Sequence, residues 1–144
     1  MRYVLIVVGA IVIAIALIAT CGMLLPEKHV ASRKAIYRQP PDALWSAVSS
    51  YKGDESLEYK VEESDPPRRL VGRVIDPHHN FGGTWTYEIQ PIDGGAQLRI
   101  TENGEVYNPF FRFVSRFVIG HTRTIDQALK SFGTKFNQNV QIED

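Results

Sequence analysis

The sequence has little cysteine, no excess of charge and no signature of nucleotide chemistry. Its 144 residues include one cysteine, Cys21, so an internal disulfide is excluded and the redox compartment is not defined. The formal net charge is zero, and bulk attraction to nucleic acid is therefore not expected. Gly82 and Gly83 are not followed by the Lys and Ser or Thr of a phosphate loop, and no Ser-His-Asp or Cys-His arrangement is visible. We expect no cofactor and no nucleic-acid partner.

Charge is also absent from residues 3–25, an uncharged run of 23 residues. A helix of that length measures roughly 35 Å at about 1.5 Å per residue, and a hydrocarbon core is about 30 Å thick. Arg2 is the only charge before Glu27, so the remainder has a formal net charge of −1 and an ordinary apolar content. The sequence predicts a transmembrane anchor at residues 1–26 and a single domain at residues 27–144.

Two other fates of the first segment remain open. Cleavage after Ala14-Ile15-Ala16 would make it a signal peptide, although the apolar run is longer than the usual 7 to 15 residues. Residues 18–21 resemble a lipoprotein signal, except that Thr20 stands where a smaller residue is usual. We predict a retained single-pass anchor in the cell membrane. Its orientation is open, because lysines and arginines after the segment favour a cytoplasmic domain whereas a signal-like start favours the opposite side.

The first half of the domain shows alternating strand and helix patterns. We predict a strand over residues 29–38, a short helix over residues 41–49 that begins at a proline pair, and a loop over residues 51–56. Residues 57–64 alternate Leu57, Tyr59 and Val61 with charged residues, as a half-buried strand does. Residues 69–75 form the next predicted strand.

The clearest strand pattern is a hairpin around Asp93-Gly94-Gly95. Apolar residues occupy one face of both its strands, namely Trp85, Tyr87, Ile89, Leu98 and Ile100. The carboxylate of Glu102 falls on that same face if the alternation continues. A dry face on the hairpin needs a covering element.

The covering element is predicted at residues 108–136. Asn108 is a suitable N-cap and Pro109 a suitable first helical residue. Within an arc of about 100° the helix would carry an apolar stripe: Phe110, Val114, Phe117, His121, Ile125, Ala128, Leu129, Phe132 and Phe136. We expect one amphipathic helix of roughly seven turns, with Gly120, a poor helix former, as the point where it would bend.

These elements together resemble a known family. The segments YRQPPDALWSAVS and GGTWTYEIQPIDGGAQLRITENGEV and the final helix, within residues 28–137, are similar to the START-like, or SRPBCC, group. That group includes the major birch pollen allergen, lipid-transfer domains and polyketide cyclase/dehydrase proteins. The resemblance implies an α+β helix-grip fold, an antiparallel sheet wrapped on a long C-terminal helix, with an apolar cavity between them. The connection at residues 49–57 is shorter than in relatives, which bears on how well the cavity closes.

The resemblance implies binding of a hydrophobic small molecule or lipid without catalysis. From the sheet, the expected ligand-binding residues are Trp85, Tyr87, Leu98, Ile100 and Glu102. From the helix, they are Val114, Phe117, His121 and Ile125.

Three alternatives accompany this prediction. His121 with Glu102 would suit acid–base chemistry in a cyclase or dehydratase, although a hydrogen-bonded core residue is the more common explanation for such a histidine. A filled core would instead indicate a protein-interaction module. His78, His79 and Asp76 offer too few suitably spaced ligands for a metal ion, and we predict no metal site.

The polar side of the final helix is basic, with Arg112, Arg116, Arg123 and Lys130. Such a side is usually only solvated. In a membrane-tethered protein it would also suit anionic headgroups.

Overall fold

The computed structural model describes residues 1–51, 53 and 57–144 and contains a six-stranded antiparallel sheet with helices. The strands are β1 (Lys28–Tyr37), β2 (Glu58–Asp65), β3 (Arg69–Ile75), β4 (Phe81–Ile92), β5 (Gly95–Val106) and β6 (Ile142–Glu143), in the order β2-β3-β4-β5-β1-β6. The predicted α+β class is confirmed. Of the loop predicted at residues 51–56, residues 52 and 54–56 lie outside the described residues.

The hairpin of β4 and β5 forms the centre of the sheet. Its strands pair in register from Phe81 opposite Val106 to Ile92 opposite Gly95. Tyr87 is buried on the face predicted to be dry. The period of two therefore identified the hairpin and its inner face correctly.

Helices α2 (Pro41–Ser49) and α4 (Arg123–Lys135) cover one end of that inner face. The bounds of α2 are those predicted from the proline pair. Side chains from both helices and from the sheet make a core, in which the largest fully buried residues are Tyr37, Leu44, Val48, Leu98, Ile100, Ile125 and Leu129. The hydroxyl of Tyr37 donates to the carbonyl of Leu129 at 2.7 Å, which fixes α4 on β1.

The seven-turn helix predicted at residues 108–136 is interrupted. Helix α3 (Pro109–Val114) is followed by a π-helical turn, Ser115–Ile119, and α4 begins only at Arg123. The cause is Gly120, whose φ of 80° lies in the left-handed region that ends a helix. Its N–H closes the turn on the carbonyl of Ser115 at 2.9 Å. The apolar stripes before and after Gly120 consequently face different surroundings.

The half-buried face predicted for β2 is wrong, since every residue of this strand is exposed. Tyr59 is 37% exposed and Val61 54%. The helices pack mainly on β1, β4 and β5, so they do not cover the sheet's β2 edge.

Helix α1 (Arg2–Leu24) is the one helix among the described residues that is long and apolar enough to cross a bilayer, a property that signal sequences share. Most of its surface is exposed, and its C-terminal end packs against α3. Gly22 makes that contact close, because a Cβ there would overlap the backbone of Pro109. The helix is therefore attached to the domain at one end.

Candidate functional site: a cavity at the open end of the sheet

A cavity of about 550 Å³ lies beside the core. Its strand-borne lining includes aromatic, aliphatic and ionisable side chains, namely His29, Tyr59, Val74, Trp85, Tyr87 and Glu102. Thr124 and Gln127 of α4 close one side. The interior of the fold is thus filled beneath α2 and α4 and hollow towards the end where β4 begins and β5 finishes.

The strand residues expected to line a cavity divide into two groups. Trp85, Tyr87 and Glu102 do line it. Leu98 and Ile100 are fully buried in the core instead, because α2 and α4 pack against that part of the hairpin.

The helical residues expected in the lining do not form part of it. Ile125 is fully buried in the core, and Phe117 is 63% exposed. Val114 is partly buried, in the last turn of α3 before the π-helical turn. His121 lies at the break after that turn, adjacent to the cavity. The break at Gly120 redirects Val114 and Phe117, which precede it, whereas Ile125 follows it and is buried where α4 packs on the sheet.

Glu102 is the acidic group of the cavity. The alternation of β5 continues without a shift in register, so its carboxyl points to the same side as Leu98 and Ile100. Burial raises the pKa of Glu102 to about 7, and the neighbouring indole of Trp85 offsets part of that effect. A carboxyl that is protonated near neutral pH can donate a hydrogen bond as well as accept one.

His29 is the residue that the sequence reasoning missed. Its Nε2 lies 3.9 Å from Oε1 of Glu102, and its ring stacks on that of His121 with centroids 3.8 Å apart. Gly104, opposite in the register, leaves the space that the ring occupies. Burial, with the adjacent His121, lowers the pKa of His29 to about 4. The signal was available, since His29 is two residues before Ala31 in the first strand and therefore shares its inward face.

The predicted pairing of Glu102 with His121 is therefore replaced by a chain in which His29 lies between them. Burial and the nearby Arg116 lower the pKa of His121 as well. With the pKa of Glu102 near 7 and that of His29 near 4, the pair is neutral in between and its proton resides on Glu102. The cavity thus has a polar end that can exchange a proton without holding a fixed ion pair.

A second polar point comes from two tyrosines. The phenols of Tyr59 and Tyr87 are neighbours in the cavity lining, and burial raises the pKa of both. The ring of Tyr59 lies over Gly72, where any Cβ would overlap it. Glycine at position 72 therefore brings the phenol of an otherwise exposed edge strand to the cavity.

The basic side chains predicted on the polar helix face are not equivalent. Arg112 is buried and lies beneath α3, so placing it on a solvated face was wrong. Arg116, Arg123 and Lys130 are exposed.

The loop after β3 has a structural explanation. The carboxylate of Asp76 accepts the backbone N–H groups of His78 and Asn80, each at 2.9 Å. Across residues 1–51, 53 and 57–144, no three His, Cys, Asp or Glu side chains are grouped closely enough to hold a metal ion.

Comparison with known proteins identifies the fold through structure alone. No protein-family model and no curated protein matches the sequence. A conserved protein from Geobacillus kaustophilus aligns with a TM-score of 0.62 at 14% identity, over 81% of this chain and 100% of that one. CalU16 from Micromonospora echinospora aligns with a TM-score of 0.52 at 15% identity, over 76% of this chain and 85% of that one.

A third similar structure is PFC0360w, described as an HSP90 activator from Plasmodium falciparum. Its TM-score is 0.52 at 12% identity, over 81% of this chain and 100% of that one. At such identities the likeness concerns the fold only. The protein accordingly shares the α+β helix-grip fold of these structures.

Proposed function

We propose that this protein binds a hydrophobic small molecule or lipid in the cavity and is tethered to the cell membrane by α1. The observation that carries the proposal is the cavity of about 550 Å³, a size typical of small-molecule sites. A filled interior would have favoured the interaction module, and the hollow end of this fold favours a binder.

The lining indicates the shape of the ligand. Trp85, Val74 and the ring of Tyr87 offer apolar surface, while Glu102 and His29 place polar atoms at one point. A mostly apolar molecule with one oxygen-bearing group matches this distribution, because the protonated carboxyl of Glu102 can donate to that oxygen. Binding of this kind requires no chemical step.

Helix α1 supports the tether. Its 23 residues match the thickness of a hydrocarbon core, and most of its surface is exposed in the folded chain. A lipid-facing environment would remove that apolar surface from water. We assign a single-pass topology on this basis.

The test compares two tryptophan substitutions on α4 of the full chain. Gln127 lines the cavity and Lys130, one turn later, does not, and both are exposed. Native mass spectrometry of the full chain, purified in a detergent of known mass, should show a co-purified molecule in the wild type and in Lys130→Trp. The Gln127→Trp variant should have lost it while keeping its circular dichroism spectrum, because the indole fills the cavity.

Equal adducts in all three proteins would place the molecule outside the cavity and contradict the proposal. If the wild type is empty, oleate is added as a probe and the emission of Trp85 is followed in a Trp45→Phe background. An emission that saturating oleate leaves unchanged would also contradict it.

An acid–base enzyme is the second candidate, because Glu102 and His29 meet in the cavity. Chemical identification of the bound molecule separates the two functions. A binder should retain the same compound in the wild type and in Glu102→Gln, whereas an enzyme should accumulate its unconverted substrate in the variant.

A further inference from the structure

The π-helical turn presents three consecutive large apolar side chains to the outside. Phe117 is 63% exposed, Val118 70% and Ile119 47%. The ring of Phe113 in α3 packs against that of Phe117, with centroids 5.0 Å apart and an interplanar angle of 49°. A contiguous apolar surface of this kind marks an interaction site more often than isolated exposed residues do.

This surface lies beside the end of α1. Helix α3, which leads directly into the turn, packs against the C-terminal end of α1 through the close approach of Gly22 to Pro109. The neighbouring Met23 and Leu24 of α1 are themselves 61% and 84% exposed. The start of the turn is near the end of the proposed membrane helix as well, because Leu25, Ser115 and Arg116 line one small pocket.

Arg112 holds the two parts in this arrangement. Its guanidinium donates to the carbonyls of Val106 and Tyr107, at 2.7 and 2.8 Å, and pairs with Glu27 at 2.5 Å. It also contacts the carbonyl of Leu25, at the end of α1. The junction between helix, sheet and turn is thus bonded from several sides, which limits independent movement of α1.

The charge around the turn favours an anionic surface. Residues 106–125 contain three arginines and no aspartate or glutamate. Arg116 and Arg123 are exposed on either side of the apolar tip. Arginines flanking an apolar surface extend their charged ends to headgroups while their aliphatic parts remain among apolar groups.

We propose that residues 117–119 insert into the interfacial layer of the bilayer beside α1, with Arg116 and Arg123 at the headgroups. This proposal rests on the proposed membrane tether. The expected depth is about 5 to 10 Å below the headgroup boundary, as for interfacial segments in general. Because Phe111 of α3 packs on the cavity-lining Phe81 at 5.3 Å between centroids, insertion also holds that end of the cavity close to the bilayer.

The test uses nitroxide labels on the full chain in vesicles of mixed phosphatidylcholine and phosphatidylglycerol. The native Cys21 reports on α1, and Phe117→Cys and Val118→Cys in a Cys21→Ser background report on the turn. Asp93→Cys in the same background is the matched control, because it lies in the turn at the far end of the β4–β5 hairpin. That end is roughly 35 Å from Phe81 along β4.

Labels at positions 117 and 118 should have lost accessibility to a water-soluble nickel chelate and gained accessibility to oxygen, relative to position 93. Chelate accessibility equal to that of position 93, with Cys21 still in lipid, would overturn the insertion and leave the tether intact. If the Cys21 label is accessible to the chelate as well, both the insertion and the membrane tether are contradicted. Protection from both reagents with spin–spin broadening would indicate contact with a second copy and overturn insertion.

Discussion

The two halves of the C-terminal segment look alike in sequence and differ in structure. Val114 and Phe117 before Gly120, and Ile125 and Leu129 after it, belong to one apolar stripe at helical spacing. Leu129 is fully buried, whereas Phe117 is 63% exposed. Helical periodicity therefore locates an apolar stripe, but it does not say what covers the stripe.

The covering element differs because the chain changes direction at Gly120. Helix α4 packs on the sheet and is fixed there by the bond from Tyr37. Helix α3 packs on the end of α1, and the turn that follows it has no comparable cover within the described part of the chain. A core position and an exposed position can thus share one sequence pattern.

The strongest expected difference between the halves is in stability. Leu129→Ala should lower the free energy of unfolding by about 2 to 5 kcal/mol, because it leaves a cavity in a packed core. Urea unfolding of the full chain in a mild detergent, followed by circular dichroism, measures this. The adjacent, exposed Lys130→Ala is the control and should change little. A loss below about 1 kcal/mol for Leu129→Ala would mean that α4 is not part of the core.

His29 and Glu102 adjoin His121, at the break between the two halves, and they predict opposing dependences of stability on pH. The folded protein keeps a proton on Glu102 up to a pKa of about 7, against 4.5 ordinarily. The resulting stabilisation is complete below pH 4.5 and is lost as pH rises through 7. The pKa of His29 is lowered from 6.5 to about 4, so its contribution is complete above pH 6.5 and is lost as pH falls towards 4. The two trends offset each other in the wild type.

Single substitutions should separate these trends. In His29→Gln, the Glu102 trend is opposed only by the lesser contribution of His121, whose pKa is also lowered, and stability should fall by up to about 3 kcal/mol between pH 4.5 and 7. In Glu102→Gln, stability should instead rise with pH between about 4 and 6.5, because the lowered pKa values of His29 and His121 both act in that direction. Unfolding curves across this range measure both slopes. Parallel profiles in the two variants would refute the assignment of the shared proton to Glu102.

The junction of α1 with α3 is expected to depend on Arg112. Arg112→Met keeps a similar length but leaves the carbonyls of Val106 and Tyr107 without their donor, which should cost about 2 kcal/mol. Glu27→Gln is the control, because it removes the charge pair and retains those two bonds. Unfolding measurements that show equal losses in both variants would assign the effect to the ion pair alone.

The smallest expected effect concerns the exposed half. Phe117→Ser should change the free energy of unfolding in detergent by no more than about 0.5 kcal/mol, since its side chain is mostly exposed. The same urea measurement as for Leu129→Ala applies. A loss comparable to that of Leu129→Ala would show that the turn is covered after all and would remove the contrast between the halves.

Several elements were predictable because their signals are local. The proline pair before α2, the N-cap at Asn108 and the alternation of β4 and β5 each act through backbone geometry or neighbouring residues. The cavity-lining positions of Trp85 and Tyr87 follow from that alternation. The exposure of β2 was not predictable, since strand periodicity does not reveal how far the helices extend over the sheet.

The candidate site shows the same division. The inward direction of Glu102 followed from the period of β5, but its neighbour did not, because His29 is 73 residues earlier and approaches it only through pairing of β1 with β5. Gly104 leaves space for the ring of His29. The role of this glycine can be recognised only when the residue paired with it across the sheet is known.

The sequence by itself determined an apolar N-terminal helix, the strands and the amphipathic character of the C-terminal segment, because these depend on short-range periodicity and on chain length. The tertiary structure decided which stripe is buried, where the interior is hollow and which ionisable groups meet there. Those outcomes depend on strand register and on the backbone angle at Gly120, which bring residues together or redirect them over distances that local patterns do not span.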